Sequence, residues 1–124
     1  METAFDKVNL ADKFAAFDDH WSPKIVGRLN DYDIKLVKLE GDFVWHKHDD
    51  EDEMYLVVDG AMDIEFRDRT VTLQAGEFLV VPKGIEHKPQ AGAECRVLLF
   101  ERAGVVNTGD AAENDMTVRQ PERI

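Results

Sequence analysis

Apolar and polar side chains alternate along much of the chain from Ile25 onward. Alternation puts every second side chain on the same face of an extended segment, so it predicts half-buried β-strands. The clearest segments are Ile34 with Leu36, Val37 with Leu39, Met62 with Ile64 and Phe66, and Val71 with Leu73. Turn-forming pairs such as Asp59-Gly60 and Ala75-Gly76 separate these segments. The pattern indicates about eight or nine short strands in an antiparallel sandwich or barrel, an all-β fold.

The N-terminal end shows a helical spacing instead. Leu10, Phe14 and Phe17 recur at intervals typical of one helix face, and Asn9 is suited to cap a helix. We therefore expect a short helix that begins after Asn9, runs through Phe17 and ends at Asp18-Asp19. Its expected role is to cover one sheet.

The chain divides into three parts. We expect residues 1–20 to form an N-terminal cover, residues 21–102 a β-barrel domain, and residues 103–124 a C-terminal tail. The tail is polar and rich in Gly, Asn and Asp, so we expect it to be irregular or weakly ordered. The segment from Met116 to Gln120 is compatible with a short added strand.

One predicted strand, from Glu53 to Val58, is apolar on both faces. Tyr55 and Val57 share the side of Glu53, whereas Met54, Leu56 and Val58 lie on the other side. Both faces should therefore be covered. The second cover is either the N-terminal segment or another subunit, and the second alternative predicts a homodimer.

Composition narrows the possible partners and compartment. The 124 residues fit one domain, and the single cysteine, Cys95, cannot form an internal disulfide, so we read it as an ordinary buried thiol. The chain starts without a signal-peptide pattern and contains no apolar run long enough to span a membrane. A net charge of −11 opposes binding to nucleic acid or anionic membranes. We expect a cytoplasmic protein whose partner is a small molecule.

Two separated segments carry the candidate chemistry. If the stretch from Phe43 is a strand, His46 and His48 leave the same face with α-carbons roughly 6.6 Å apart, close enough to share one ion. Glu53 follows on the next strand, and His87 lies in a second segment bounded by glycine and proline. Three of the four histidines in the chain fall in this set. The sequence therefore predicts a metal site made of His46, His48, Glu53 and His87.

Ligand type limits the metal without identifying it. Imidazole nitrogen and carboxylate oxygen suit Fe(II), Mn(II), Ni(II), Co(II) or Zn(II), and the absence of thiolate disfavours a closed structural zinc site. Four protein ligands on an ion that prefers six would leave about two positions for water, substrate or dioxygen. Glu51 is the alternative carboxylate, but the apolar strand that begins at Glu53 favours Glu53.

The two segments resemble the two motifs of the cupins. In that family a glycine-bounded stretch supplies His-x-His and a glutamate, and a second stretch bounded by glycine and proline supplies the last histidine; His46, His48, Glu53 and His87 match them one by one. The resemblance, to small single-domain cupins of the cupin-2 or RmlC-like kind, covers roughly Asp31 to Glu101. It implies an antiparallel double-stranded β-barrel, or jelly-roll. Ala91 stands where the second motif usually ends in asparagine.

Strand parity predicts the surroundings of the ion. We expect a small, mostly apolar cavity, with the Tyr55 hydroxyl as a polar feature. Its lining is predicted to comprise Val44, Tyr55, Val57, Ile64, Phe66, Phe78 and Val80. Trp45 alternates outward and should pack against the second cover, and His20 should pack in the N-terminal segment rather than approach the pocket mouth.

Two functional classes are compatible with this site. The first is a metal-dependent enzyme acting on a small organic molecule, with dioxygenase-type or isomerase/lyase-type chemistry. The second is a non-catalytic module that binds metal or a small, sugar-like molecule, because no second catalytic group is evident near the site. Few cations point inward, which disfavours a phosphosugar, although Lys83 and Lys88 lie near the final histidine.

Overall fold

The computed structural model describes residues 5–124 as one short helix and eight β-strands. The helix, α1, spans Leu10–Phe14. The strands are β1 Lys24–Leu29, β2 Tyr32–Asp42, β3 Glu53–Asp59, β4 Ala61–Glu65, β5 Thr70–Gln74, β6 Phe78–Val81, β7 Lys88–Arg102 and β8 Glu122–Arg123. Of these residues, no helix has the length and apolar character needed to cross a membrane.

Strand β7 connects two parts of the sheet, because its two halves pair with different strands. The order is β5-β4-β7-β2-β1-β8, and β3 pairs with both β6 and β7. Lys88 to Gln90 face β4, whereas Arg96 to Glu101 face β3. All pairs are antiparallel except β1 with β8. Within residues 5–124 the sheet does not close into a ring, and the predicted all-β jelly-roll architecture is confirmed.

The core lies inside the barrel, and α1 covers part of the outside. Asn9 caps α1 as predicted, since its Oδ1 accepts a hydrogen bond from Asp12 N at 2.9 Å. The helix ends at Phe14, three residues earlier than expected, and Lys38 Nζ donates to the carbonyl of Phe17 at 2.6 Å. Phe14 and Phe17 nevertheless pack on Leu36, on the outer face of β2.

The parity predicted for β6 is wrong. β6 pairs with β3 so that Val81 faces Glu53 and Leu79 faces Tyr55. Because paired residues of an antiparallel ladder share a face, Leu79 and Val81 point inward and Phe78 and Val80 point outward. Phe78 is 61% exposed and Val80 45% exposed. Neither lines the cavity.

The strand expected from Phe43 does not form, because β2 ends at Asp42. Phe43 N still donates to the carbonyl of Pro89 at 2.9 Å. Proline has no N–H to return that bond, so the ladder is interrupted. An isolated bridge between His46 and His87 restores the pairing, and both residues are buried.

The C-terminal tail is irregular, as predicted, but it packs on the barrel rather than lying loose. Thr108 is 1% exposed, and the side chain of Asn107 bonds to the backbone of Trp21, Met116 and Val118. The added strand occurs at Glu122–Arg123, where it pairs with β1, and not at Met116 to Gln120.

Candidate metal centre

The backbone bridge between two candidate ligands fixes half of the site. His46 N donates to the carbonyl of His87 at 3.0 Å, and His87 N donates back at 2.9 Å. Two residues paired in this way project their side chains to the same face. Their ring centroids lie 4.3 Å apart inside the barrel.

His48, from the connection between β2 and β3, and Glu53 complete the cluster. Glu53 is the first residue of β3, and its Oε1 lies 3.4 Å from His48 Nε2 and 3.5 Å from His87 Nε2. One nitrogen or oxygen from each of the four residues lies within 4.8 Å of the others, and all four side chains are buried. The structure therefore brings together the complete set that the sequence predicts.

Two imidazoles are oriented by main-chain carbonyls. Nδ1 of His46 donates to the carbonyl of Val44, and Nδ1 of His87 donates to the carbonyl of Ile85, both at 2.9 Å. This bonding keeps the proton on Nδ1 and leaves the Nε2 lone pair directed into the cluster. It is the arrangement that metal-binding histidines use.

Several polar atoms in the cluster lack partners. Among the described residues, His46 Nε2, His48 Nε2 and Glu53 Oε1 are buried without a hydrogen-bond partner. Burial and the neighbouring His87 lower the pKa of His46 from 6.5 to about 4. Burial alone would raise the pKa of Glu53, but the imidazoles of His48 and His87 outweigh it and hold that pKa well below its usual range. His46 is therefore neutral and Glu53 ionised, and these are the protonation states in which the two side chains bind a cation.

Tyr55 and Glu101 extend the polar region beyond the four residues. The Tyr55 hydroxyl lies 3.3 Å from His87 Nε2, and burial together with Glu53 and Glu101 raises its pKa well above 10, so it stays a donor. Glu101 lies opposite Glu53 on β7, and its Oε1 accepts from Lys35 Nζ at 3.1 Å. Tyr55 was predicted from parity, but Glu101 and Lys35 were missed.

A small cavity adjoins Glu53 and Tyr55. Its volume is about 30 Å³, enough for roughly one water molecule. Its walls are mostly apolar and come from Trp21, Pro23, Val37, Leu39, Phe43, Pro89, Leu99 and Asn107. Trp21 stacks on Phe43 with ring centroids 4.7 Å apart, and Phe43 contacts His46 edge to face.

The other predicted lining residues have different positions. Val57 and Ile64 are fully buried in the core, and Phe66 packs against that core with its ring centroid 6.5 Å from that of His87. Val44 is half-buried and contributes its carbonyl to His46. Phe43 takes the apolar role beside His46 that parity assigned to Val44.

The remaining candidates lie outside the cluster. Glu51 Oε2 accepts from Arg102 Nε at 2.8 Å, so this carboxylate is engaged elsewhere. His20 is bonded to Glu94 Oε1 at the surface, and Cys95 is a buried thiol whose pKa burial raises to about 11. Trp45 is covered by the guanidinium of Arg67, 3.8 Å from the ring centroid, and not by a second sheet cover.

A protein-family model and a bacterial relative both match part of this chain. A family model described as a cupin domain matches residues 35–101, the stretch that contains all four cluster residues. The uncharacterized protein YdbB of Bacillus subtilis is 34% identical over 67 residues, which cover 53% of this chain. That match spans only 59% of the relative's length.

Two solved structures are similar over most of the chain. A cupin-2 domain containing protein from Shewanella frigidimarina is 53% identical with a TM-score of 0.76, over 77% of this chain and 93% of that one. Protein NMB1881 from Neisseria meningitidis is 35% identical with a TM-score of 0.73, over 79% of this chain and 100% of that one. The barrel and its short connections are thus shared with proteins of similar size.

Proposed function

This chain belongs to the cupin family, and from that premise we propose that it binds one divalent transition metal through His46, His48, Glu53 and His87. The observation that carries the proposal is the set of three buried, unpartnered atoms at the centre of the cluster. A buried polar atom without a partner costs about 1–3 kcal/mol, and a cation at this point would satisfy all three.

The donor set fits Fe, Mn, Ni, Co or Zn. Three imidazole nitrogens and one carboxylate oxygen are intermediate to hard ligands, and the buried Cys95 is outside the cluster. When bound, the ion would supply Lewis-acid or dioxygen chemistry to a small organic molecule. The protein would contribute the Tyr55 hydroxyl as a hydrogen-bond donor and apolar walls that exclude water.

We accordingly propose a metal-dependent enzyme of the dioxygenase or isomerase/lyase type. Burial keeps Tyr55 protonated, so its hydroxyl can donate to an oxygen of a molecule held beside the ion. Glu53, His46 and His87 are each fixed by backbone position and hold the ion in one place. Phe43 and Trp21 close the apolar side of the cavity.

The cavity size favours a second candidate, a non-catalytic module that binds metal or a small molecule. About 30 Å³ beside Glu53 holds no organic substrate unless the walls move. Turnover of any small molecule that is abolished by His48→Ala without loss of fold would exclude this candidate.

We also propose that the protein is a homodimer. Four apolar side chains from neighbouring strands form a row on the outer face of the sheet, which we call the outer row: Val80, Met54, Phe100 and Ile34. Helix α1 covers Leu36, Leu98 and Val58 beside this row. A second copy placed face to face would bury the row, and an isologous contact of this kind is the commonest in homodimers.

Calorimetric titration with Ni(II) tests the metal proposal. Wild-type protein should bind one equivalent, and His48→Ala should weaken binding by at least tenfold because it removes one of four ligands. His20→Ala is the matched control, since His20 is the one histidine outside the cluster and bonds to Glu94. Equal affinity of wild type and His48→Ala would contradict the assignment.

A further inference from the structure

The first part of the C-terminal tail, Ala103 to Asp110, packs against the segment that carries His46 and His48, and we call it the strap. At Gly109 the backbone has φ of 55°, and a β-carbon there would overlap the carbonyl oxygen of Lys47 and lie 3.1 Å from Cδ2 of His46. Only glycine allows this approach. The strap therefore touches both a candidate ligand and the backbone next to it.

Two groups of hydrogen bonds hold the strap closed. Asp110 N donates to the carbonyl of Lys47 at 3.1 Å, and Lys47 N donates to Asp110 Oδ1 at 2.8 Å. Behind this pair, Asn107 Nδ2 donates to the carbonyl of Met116 and Asn107 Oδ1 accepts from Val118 N, each at 2.7 Å. Lys47 lies between His46 and His48, so this contact fixes the segment that carries two ligands.

A cleft of about 380 Å³ separates the strap from the segment Lys47 to Glu51. His48 forms part of the cleft wall, and its Nε2 lies 3.4 Å from Glu53 Oε1 on the inner side. One imidazole thus spans the distance from solvent to the cluster. The charge of the cleft suits a cation, because its wall sets one cationic side chain, Lys47, against the carboxylates of Asp49, Asp50, Glu51 and Asp110.

A second cleft, of about 450 Å³, is lined by Phe66, whose ring centroid lies 6.5 Å from that of His87. That cleft contains none of the four ligands. Its wall pairs Arg67 with Glu86 and Arg69 with Asp68, so these charges cancel and offer a cation no net attraction. The cleft under the strap is therefore the better route for a metal ion.

We propose that divalent cations reach and leave the centre through the cleft under the strap, and that opening of the strap from Lys47 limits the rate. This inference rests on the proposed function, because it requires an ion at the four ligands. The closed strap contributes no ligand to the ion, since all four candidate ligands lie outside it. Its hydrogen bonds to Lys47 fix the segment that carries His46 and His48, and the ion passes His48 only after the strap lifts.

Release of Ni(II) from the loaded, full-length protein to a chromogenic chelator tests this inference. Because opening precedes capture, the release rate of wild type should become independent of chelator concentration at high chelator. Gly109→Ala should speed release at least tenfold, since the new β-carbon holds the strap away from Lys47. Gly76→Ala is the matched control, with φ of 87° and open space around its α-carbon, and should release at the wild-type rate.

Asp110→Ala supplies a second variant that introduces no overlap. It removes the acceptor for Lys47 N and should speed release about fivefold or more. Wild-type release rates in both variants, or a wild-type rate that rises linearly with chelator, would overturn the inference while the metal proposal stands. Failure of wild type to load Ni(II) at all would overturn both.

Discussion

The Lys35 ammonium and the Glu101 carboxylate lie 3.1 Å apart inside the barrel, and each side chain is only 2% exposed. Glu101 is opposite Glu53 across the ladder between β7 and β3, so the ion pair stands next to the metal centre. Burial and the charge of Glu53 raise the pKa of Glu101 well above 4.5, and Lys35 opposes that rise. Glu101 is thus a second buried acidic group beside Glu53, and Lys35 is the cation that partners it.

Lys35→Met should destabilise the protein strongly at pH 8. Removing one partner of a buried pair leaves an uncompensated charge and costs roughly 3–5 kcal/mol. The raised pKa of Glu101 means that the folded state binds a proton more readily than the unfolded chain, so the cost should shrink as the pH falls toward 5. Urea denaturation at both pH values measures the change.

The exposed pair Arg119 and Glu113 provides the control for this prediction. Its atoms lie 2.7 Å apart, but the side chains are 62% and 66% exposed. Arg119→Met should cost only about 0–1 kcal/mol. If Lys35→Met lowers the free energy of unfolding no more than Arg119→Met does, the buried pair contributes no more to stability than an exposed one.

Acid should destabilise the metal-free protein before most carboxylates titrate. Burial lowers the pKa of His46 from 6.5 to about 4, so the unfolded chain takes up a proton that the folded protein refuses. Stability is fully present above about pH 6.5 and falls as the pH drops toward 4, by on the order of 3 kcal/mol. The depressed pKa of Glu53 continues the loss at lower pH. Denaturant curves from pH 8 to 4 should show this slope.

A bound ion should add a second pH dependence. Imidazoles bind metal only when neutral, so protons should displace the ion in acid and remove the stability that it confers. At pH 7.5 the metal-loaded protein should melt at a higher temperature than a chelator-treated sample. A melting temperature that ignores chelator at pH 7.5 would count against this stabilisation.

The proposed homodimer predicts a mass of about twice 14.1 kDa by light scattering. Val80→Lys should shift the protein to the monomer, because it buries a charge in the outer row. Thr70→Lys is the control, since Thr70 is an exposed residue of the edge strand β5. A wild-type monomer would remove the dimer proposal.

The four-residue cluster was predictable from sequence because histidine is rare in this chain and three of its four histidines fall in the two motifs. His46 and His48 leave the same side of an extended backbone, and only one further histidine falls near a turn that can reach them. Binary patterning also predicted most of the strands, since one face of each is buried. These signals are local, and the fold only had to bring them together.

What sequence missed depends on tertiary contacts. The stretch Phe78 to Val81 is apolar throughout, so only its register against Tyr55 decides which side chains face inward. Trp21, Asn107 and Gly109 reach the centre from irregular segments whose path has no periodic signal. The burial of Lys35 depends on its contact with Glu101, 66 residues away in sequence, which no local pattern indicates.

Elemental mass spectrometry of untagged protein purified without chelator tests most directly whether His46, His48, Glu53 and His87 hold an ion. We expect close to one equivalent of a divalent transition metal per chain, and much less in His48→Ala. An empty site that also refuses added Fe(II), Mn(II), Ni(II), Co(II) and Zn(II) would contradict it.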